Sequence, residues 1–171
     1  VLIAGGPEIT FQSLNQTEMT KELSFFDLII PGEIEKSSFP GAMDPECQHF
    51  SMPQFDQFPL DCYPRKKHLP VMISRGCIGS CAFCAEKVLF GKFRHLPVLS
   101  ILKGLKEYRE KYGVSWFTFF DSLIDGNLEF LEELCDGLIH ERMGIQWEAQ
   151  FLIRPDFPEQ LLEKMKRAGC F

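Results

Sequence analysis

Apolar and polar positions alternate along this chain with two different periods, and the periods define the elements. "VLIAGG", residues 1–6, is a short apolar run closed by two glycines, which reads as a buried strand and its turn. Thr17 to Phe25 can form a short helix capped near Thr17, and "FDLIIPGE" is a second buried strand ending at Pro31-Gly32. Strand, glycine turn, helix, strand is the order of a parallel, doubly wound sheet. Residues 37–69 lose all period; Pro40, Pro45, Pro53, Pro59 and Pro64 punctuate a polar stretch that reads as an extended linker.

Regular pattern returns at residue 70. "VMIS" predicts a strand, and after Pro97 the residues Val98, Ile101, Leu102, Leu105, Tyr108 and Tyr112 recur at helical spacing. "VSWFTFF" is nearly continuously apolar, as suits a parallel strand covered on both faces. Asn127 is a natural cap for a helix carrying Leu128, Leu131, Leu134, Cys135, Leu138 and Ile139. In "IQWEAQF", Gln146, Glu148 and Gln150 share one strand face while Trp147, Ala149 and Phe151 share the other. Residues 159–168 predict a third helix, stopped by Gly169. The fold class is therefore α/β: the end of a Rossmann-like domain over 1–36, a linker over 37–69, and over 70–171 three strand–helix units that predict the first half of a βα barrel of partial TIM type.

Composition narrows the function. The chain has 171 residues, 45% apolar and 25% charged, with a net charge of -6. That balance fits a soluble globular protein and not one built to coat nucleic acid. No apolar run approaches the roughly 20 residues of a membrane-spanning helix. No secretory leader precedes the first strand, so a cytoplasmic location is expected. The opening on "VLIAGG" and the close on "KRAGCF" read as cuts inside a longer protein.

Cysteine changes the picture most. Of seven cysteines, Cys47, Cys62, Cys135 and Cys170 are scattered, while Cys77, Cys81 and Cys84 form a C-x3-C-x2-C cluster. Thiolates are soft ligands, so this spacing points to iron–sulfur or zinc. Gly76 and Gly79 let the backbone turn closely around such a centre. Structural zinc and ferredoxin-type clusters take four protein ligands, so three leave one coordination site open. A zinc site completed by His68 or His95, and a second cluster using Cys47 and Cys62, are the competing readings.

"GCIGSCAFC" resembles the signature of the radical S-adenosylmethionine superfamily, including Phe83 before the last cysteine. The resemblance implies that Cys77, Cys81 and Cys84 bind three irons of a 4Fe-4S cluster and that S-adenosylmethionine chelates the fourth. Reductive cleavage of that cofactor then yields a 5′-deoxyadenosyl radical. It further implies that the backbone at Phe83 lies near the adenine. Asp121, at the end of "VSWFTFF", would contact the amino group of S-adenosylmethionine, although Phe120-Asp121-Ser122 stands where many members carry Gly-Gly-Glu; capping the next turn is the other reading. Arg154 either holds a carboxylate or is an ordinary surface arginine. Glu148 and Gln150 either serve the cofactor site from the barrel lumen or form a structural hydrogen-bonded pair.

"VLIAGGPEIT", "FDLIIPGEIEKS", "FDSLIDGNLEFLEELCDGLI" and "LLEKMKRAGC" resemble the subgroup with an N-terminal cobalamin-binding domain. Gly5 and Gly6 match the turn against the cobalamin tail; Gly32-Glu33 with Glu35 match a Gly-Glu-x-Glu ending, with Ile34 where glycine is common. A cobalamin-ligating histidine would lie before Val1. The implied activity is a cobalamin-linked methyl transfer or radical rearrangement on a small-molecule or unknown substrate, with an electron donor such as flavodoxin or ferredoxin. The alternatives are a methylthiotransferase-like enzyme acting on tRNA or a ribosomal protein, or a zinc-stabilised binding module.

Overall fold

The computed structural model describes residues 1–14, 23–34, 51–65, 67–155 and 157–171. The Thr17 cap, Pro40, Pro45, Cys47 and Glu35 lie outside these residues. The described chain is α/β with parallel sheets and falls into two compact units, one drawn from residues 1–50 and 79–92, the other from 51–78 and 93–171. Among the described residues no helix is long and apolar enough to cross a membrane.

In the first unit, β1 (Ile3–Gly5) pairs in parallel with β2 (Leu28–Ile30), Ile3 opposite Leu28 and Gly5 opposite Ile30. A helix, α1 (Pro7–Leu14), starts directly after the glycines, and most of the Thr17–Phe25 span predicted as a helix lies outside the described residues. Proline at the first helical position explains this start, because its fixed φ suits the first turn and its missing N–H has no intrahelical partner there anyway. Phe26 N–H donates to Leu23 O at 3.1 Å and forms a turn ahead of β2.

The second unit is three parallel strands, β3 (His68–Val71), β6 (Trp116–Phe119) and β7 (Gln146–Ala149), in the order β3-β6-β7. The first strand lies three residues ahead of "VMIS" and includes Pro70, which β3 tolerates because its N–H is not needed on an edge. Helices α3 (Val98–Tyr112), α4 (Leu128–His140) and α5 (Glu159–Arg167) follow the pattern of their apolar positions. Asn127 caps α4, its Oδ1 accepting from Phe130 N–H at 3.1 Å. After α5, Gly169 takes φ +97°, and Trp147 N–H donates to Gly169 O at 2.9 Å, adding the first rung of a further parallel strand beside β7.

The alternation in the strands sorts the two sheet faces. Phe117, Phe119 and Trp147 are fully buried together with Ile101, Leu105, Leu131 and Leu134 of the helices. Truncating Phe117 or Phe119 to alanine in such a core would cost about 3–5 kcal/mol. Trp147 also donates its indole N–H to Ala168 O at 3.0 Å, which ties the strand to the end of α5. The other face carries His68, Thr118 and Glu148. Residues 51–65, within the stretch expected as an extended linker, lie on α3: Tyr108 O–H donates to Pro53 O, Phe55 meets the Tyr108 ring edge-on at 5.5 Å, and Met52 covers Gly104.

Candidate functional site

Because β3, β6 and β7 are parallel, their C-terminal ends share one rim, and the cysteine loop leaves from that rim. Past Val71 the chain forms β4 (Ser74–Arg75), which pairs antiparallel with β5 (Arg94–His95) and closes a neck between the two ends of the intervening segment. Leu96 N–H donates to Ile73 O at 2.9 Å and extends that neck. Gly76 takes φ +79°, a conformation that favours glycine, and so turns the chain out of β4 into the cysteines. On the return, Phe93 packs directly over Gly126, and the His95 ring stacks on Phe130 with centroids 3.9 Å apart.

Cys77 is half-buried in the second unit, while Cys81 and Cys84 are exposed in the first. All three carry reduced thiols, and Cys84 N–H donates to Cys81 O at 3.1 Å. Helix α2 (Glu86–Phe90) follows them, an element that sequence periodicity is too short to reveal. Phe83 is 93% exposed. Among the described residues, no three His, Cys, Asp or Glu side chains stand grouped to hold a metal ion. The donor set itself fits an iron–sulfur centre: three thiols on a short glycine-bearing loop, none in a disulfide. By contrast, burial pushes the thiols of Cys135 and Cys170 up to about 12 and about 11, which keeps them protonated and poor ligands. His68 and His95 each have a ring nitrogen engaged, His68 Nε2 with Thr118 Oγ1 at 2.6 Å and His95 Nδ1 with Leu96 O at 2.9 Å.

Asp121 lies at the root of this loop. Its carboxylate is 1% exposed, and Oδ1 accepts the backbone N–H groups of Ile73, at 2.9 Å, and of Ser74. Oδ2 is enclosed without a hydrogen-bond partner. Burial outweighs those hydrogen bonds and pushes the carboxyl up to about 6. In this structure the side chain thus braces the strand that leads into Cys77. Ser74 Oγ donates to Leu123 O at 3.2 Å and strengthens the same joint.

Across the polar sheet face runs a hydrogen-bonded row. Glu148, a carboxylate, only accepts, so Thr118 Oγ1–H donates to Glu148 Oε1 at 2.6 Å and its oxygen is left to accept from His68 Nε2–H. Burial holds the His68 imidazole below its ordinary range despite the nearby Glu148. Glu148 is therefore half of a structural pair, but with Thr118 and not Gln150, which is exposed. Gln150 instead accepts Ile124 N–H on its backbone oxygen at 3.0 Å. Arg154 is half-buried in the loop after β7. Asp125, fully buried, joins this rim without any periodic signal in the sequence, since only the strand order brings its carboxylate to Leu152 N–H, 3.0 Å away.

In the first unit Gly5 ends β1 and Gly6 begins the turn after it with φ +94°, both exposed. A side chain on Gly5 would crowd Ile30 O. Thr10 links this turn to the one after β2: its hydroxyl donates to Gly6 O at 2.9 Å and accepts Gly32 N–H at 2.8 Å. Thr10 has no motif to mark it, and the pairing of β1 with β2 alone brings it into use.

Solved structures of similar fold are those of a radical S-adenosylmethionine methyltransferase, TsrM, from Kitasatospora setae. One, with cobalamin and a 4Fe-4S cluster bound, aligns with a TM-score of 0.54 at 15% identity, over 59% of this chain and 20% of that one. Another, with tryptophan substrate and a S-adenosylmethionine analogue bound, gives 0.56 at 16% identity, over 62% and 21%. At that identity the likeness is one of fold. Among curated relatives, the chain is 29% identical over 123 residues to an uncharacterized methyltransferase of Pyrococcus horikoshii, covering 70% of this chain and 26% of the relative. It is 28% identical over 123 residues to bacteriochlorophyllide d C-12(1)-methyltransferase of Chlorobaculum tepidum, covering 66% and 26%. A third relative, cytidylyl-2-hydroxyethylphosphonate methyltransferase of Streptomyces wedmorensis, is 25% identical over 153 residues, covering 84% and 27%. The chain thus spans about a quarter of the length of the curated relatives it matches. No protein-family model matches it.

Proposed function

We propose that this chain is part of a radical S-adenosylmethionine methyltransferase linked to cobalamin. The observation that carries the reading is the C-x3-C-x2-C loop, leaving the C-terminal rim of a parallel α/β sheet. The methyltransferase relatives and the TsrM-like fold support it. On this reading residues 1–36 end a cobalamin-binding domain, 37–69 connect, and 70–171 begin the barrel.

Cys77, Cys81 and Cys84 would hold three irons of a 4Fe-4S cluster, and the open iron would take S-adenosylmethionine. The cluster, when bound, supplies the electron that cleaves the sulfonium bond of that cofactor. The protein's own part is placement. Asp121 holds Ile73 and Ser74 so that the loop leaves β3 at one position. Phe83 would offer its backbone to the adenine, and Arg154 would meet the cofactor's carboxylate. Gly5 and Gly6 leave room for the cobalamin tail. Glu148, held by the Thr118 hydroxyl, presents a fixed acceptor on the polar sheet face, with Gln150 beyond it.

The full-length protein, reconstituted anaerobically with iron and sulfide, should turn brown and hold about four irons per chain. Replacing any one of Cys77, Cys81 or Cys84 with alanine should bleach it. A colourless protein retaining one zinc per chain would overturn this reading in favour of a zinc-stabilised binding module.

A further inference from the structure

Asp125 carries no motif, yet it is among the most enclosed polar groups described, with 0% exposure. It ends the segment Asp121–Asp125, which follows β6 along the C-terminal rim of the sheet. The last ladder rung between β6 and β7 is Phe119 with Ala149. Beyond it the two segments stay joined by Ile124 N–H to Gln150 O and by Leu152 N–H to Asp125 Oδ1, both 3.0 Å. Asp125 therefore does with a side chain what the ladder can no longer do with backbone. The loop it holds contains Gln150 and Arg154.

Burying a carboxylate to bind one N–H is costly, and Asp125 Oδ2 is enclosed without a hydrogen-bond partner. Folding stability alone does not call for such a group at this place. Asp121 makes the matching arrangement on the other side, with one oxygen on the root of the cysteine loop and the other unpartnered. One short segment thus clamps both neighbouring loops with buried carboxylates, each loop carrying residues assigned above to the cofactor.

We propose that Asp125 is a positioning residue: through Leu152 it fixes the loop bearing Gln150 and Arg154, and so sets the affinity for S-adenosylmethionine. This rests on the function proposed above. The test uses the full-length, cluster-reconstituted protein and S-adenosylmethionine itself as the probe. Asp125→Ala should weaken binding by about tenfold in isothermal titration and speed amide exchange at Leu152, with iron content unchanged. Asp125→Asn keeps an acceptor oxygen for Leu152 N–H, and should restore both the protection and most of the affinity. Unchanged affinity in Asp125→Ala, or faster exchange spread evenly over residues 93–171, would overturn the proposal and leave Asp125 a purely structural residue. Should the unaltered protein fail to bind S-adenosylmethionine, the functional reading fails instead. Exchange at Leu152 then still decides whether Asp125 holds the loop.

Discussion

Asp121 shows how far a residue's role depends on what surrounds it. Its place at the end of an apolar strand is visible in the sequence, and so is its candidacy for a rim site. Its partners are not: Ile73 and Ser74 precede it by almost fifty residues and arrive only through the parallel pairing of β3 with β6. The capping of the following turn that the sequence also allowed is replaced by this longer-range bond. The buried carboxyl is raised from 3.8 to about 6, so the folded state holds its proton more tightly than the unfolded chain. Its stabilising contribution is complete below about pH 4 and is lost as pH rises through about 6, a loss of about 3 kcal/mol. Urea unfolding of the iron-free full-length protein should therefore show stability falling across that interval. Asp121→Asn, which keeps an oxygen for both N–H groups, should flatten the fall; an unchanged pH dependence would refute the assignment.

At the scale of elements, the helices α3, α4 and α5 were legible because their apolar stripes are long enough to register a period. Short elements were not. The two-residue strands β4 and β5 and the five-residue α2 carry too few positions for any pattern, and β3 was displaced toward its N-terminus because Pro70 reads as a breaker. The neck made by β4 and β5 depends on Gly126, since a Cβ there would strike the Phe93 ring. Gly126→Ala should displace Phe93, destabilise the unit by about 1–3 kcal/mol and raise amide exchange at Arg94 and His95. Exchange at those two amides equal to that of the unaltered protein would show that the neck stands without this contact.

At the scale of the molecule, three parallel strands and the first rung of another do not enclose a site. The curated relatives are about three times as long. Residues 1–171 alone, supplied with iron, sulfide, reductant and S-adenosylmethionine, should make no 5′-deoxyadenosine above background, whereas the full-length protein should. Turnover by the shorter chain would mean that these strand–helix units suffice to bind the cofactor.

The sequence by itself determined the α/β class, the alternation that puts Trp147 and Glu148 on opposite faces of the sheet, and the three clustered thiols, because each of these is encoded by local spacing. Tertiary structure decided the rest. Asp121, Asp125, Thr118 and Thr10 acquire their partners from segments 22 to 50 residues away. Such pairings follow from strand order and register, which no short stretch of sequence carries.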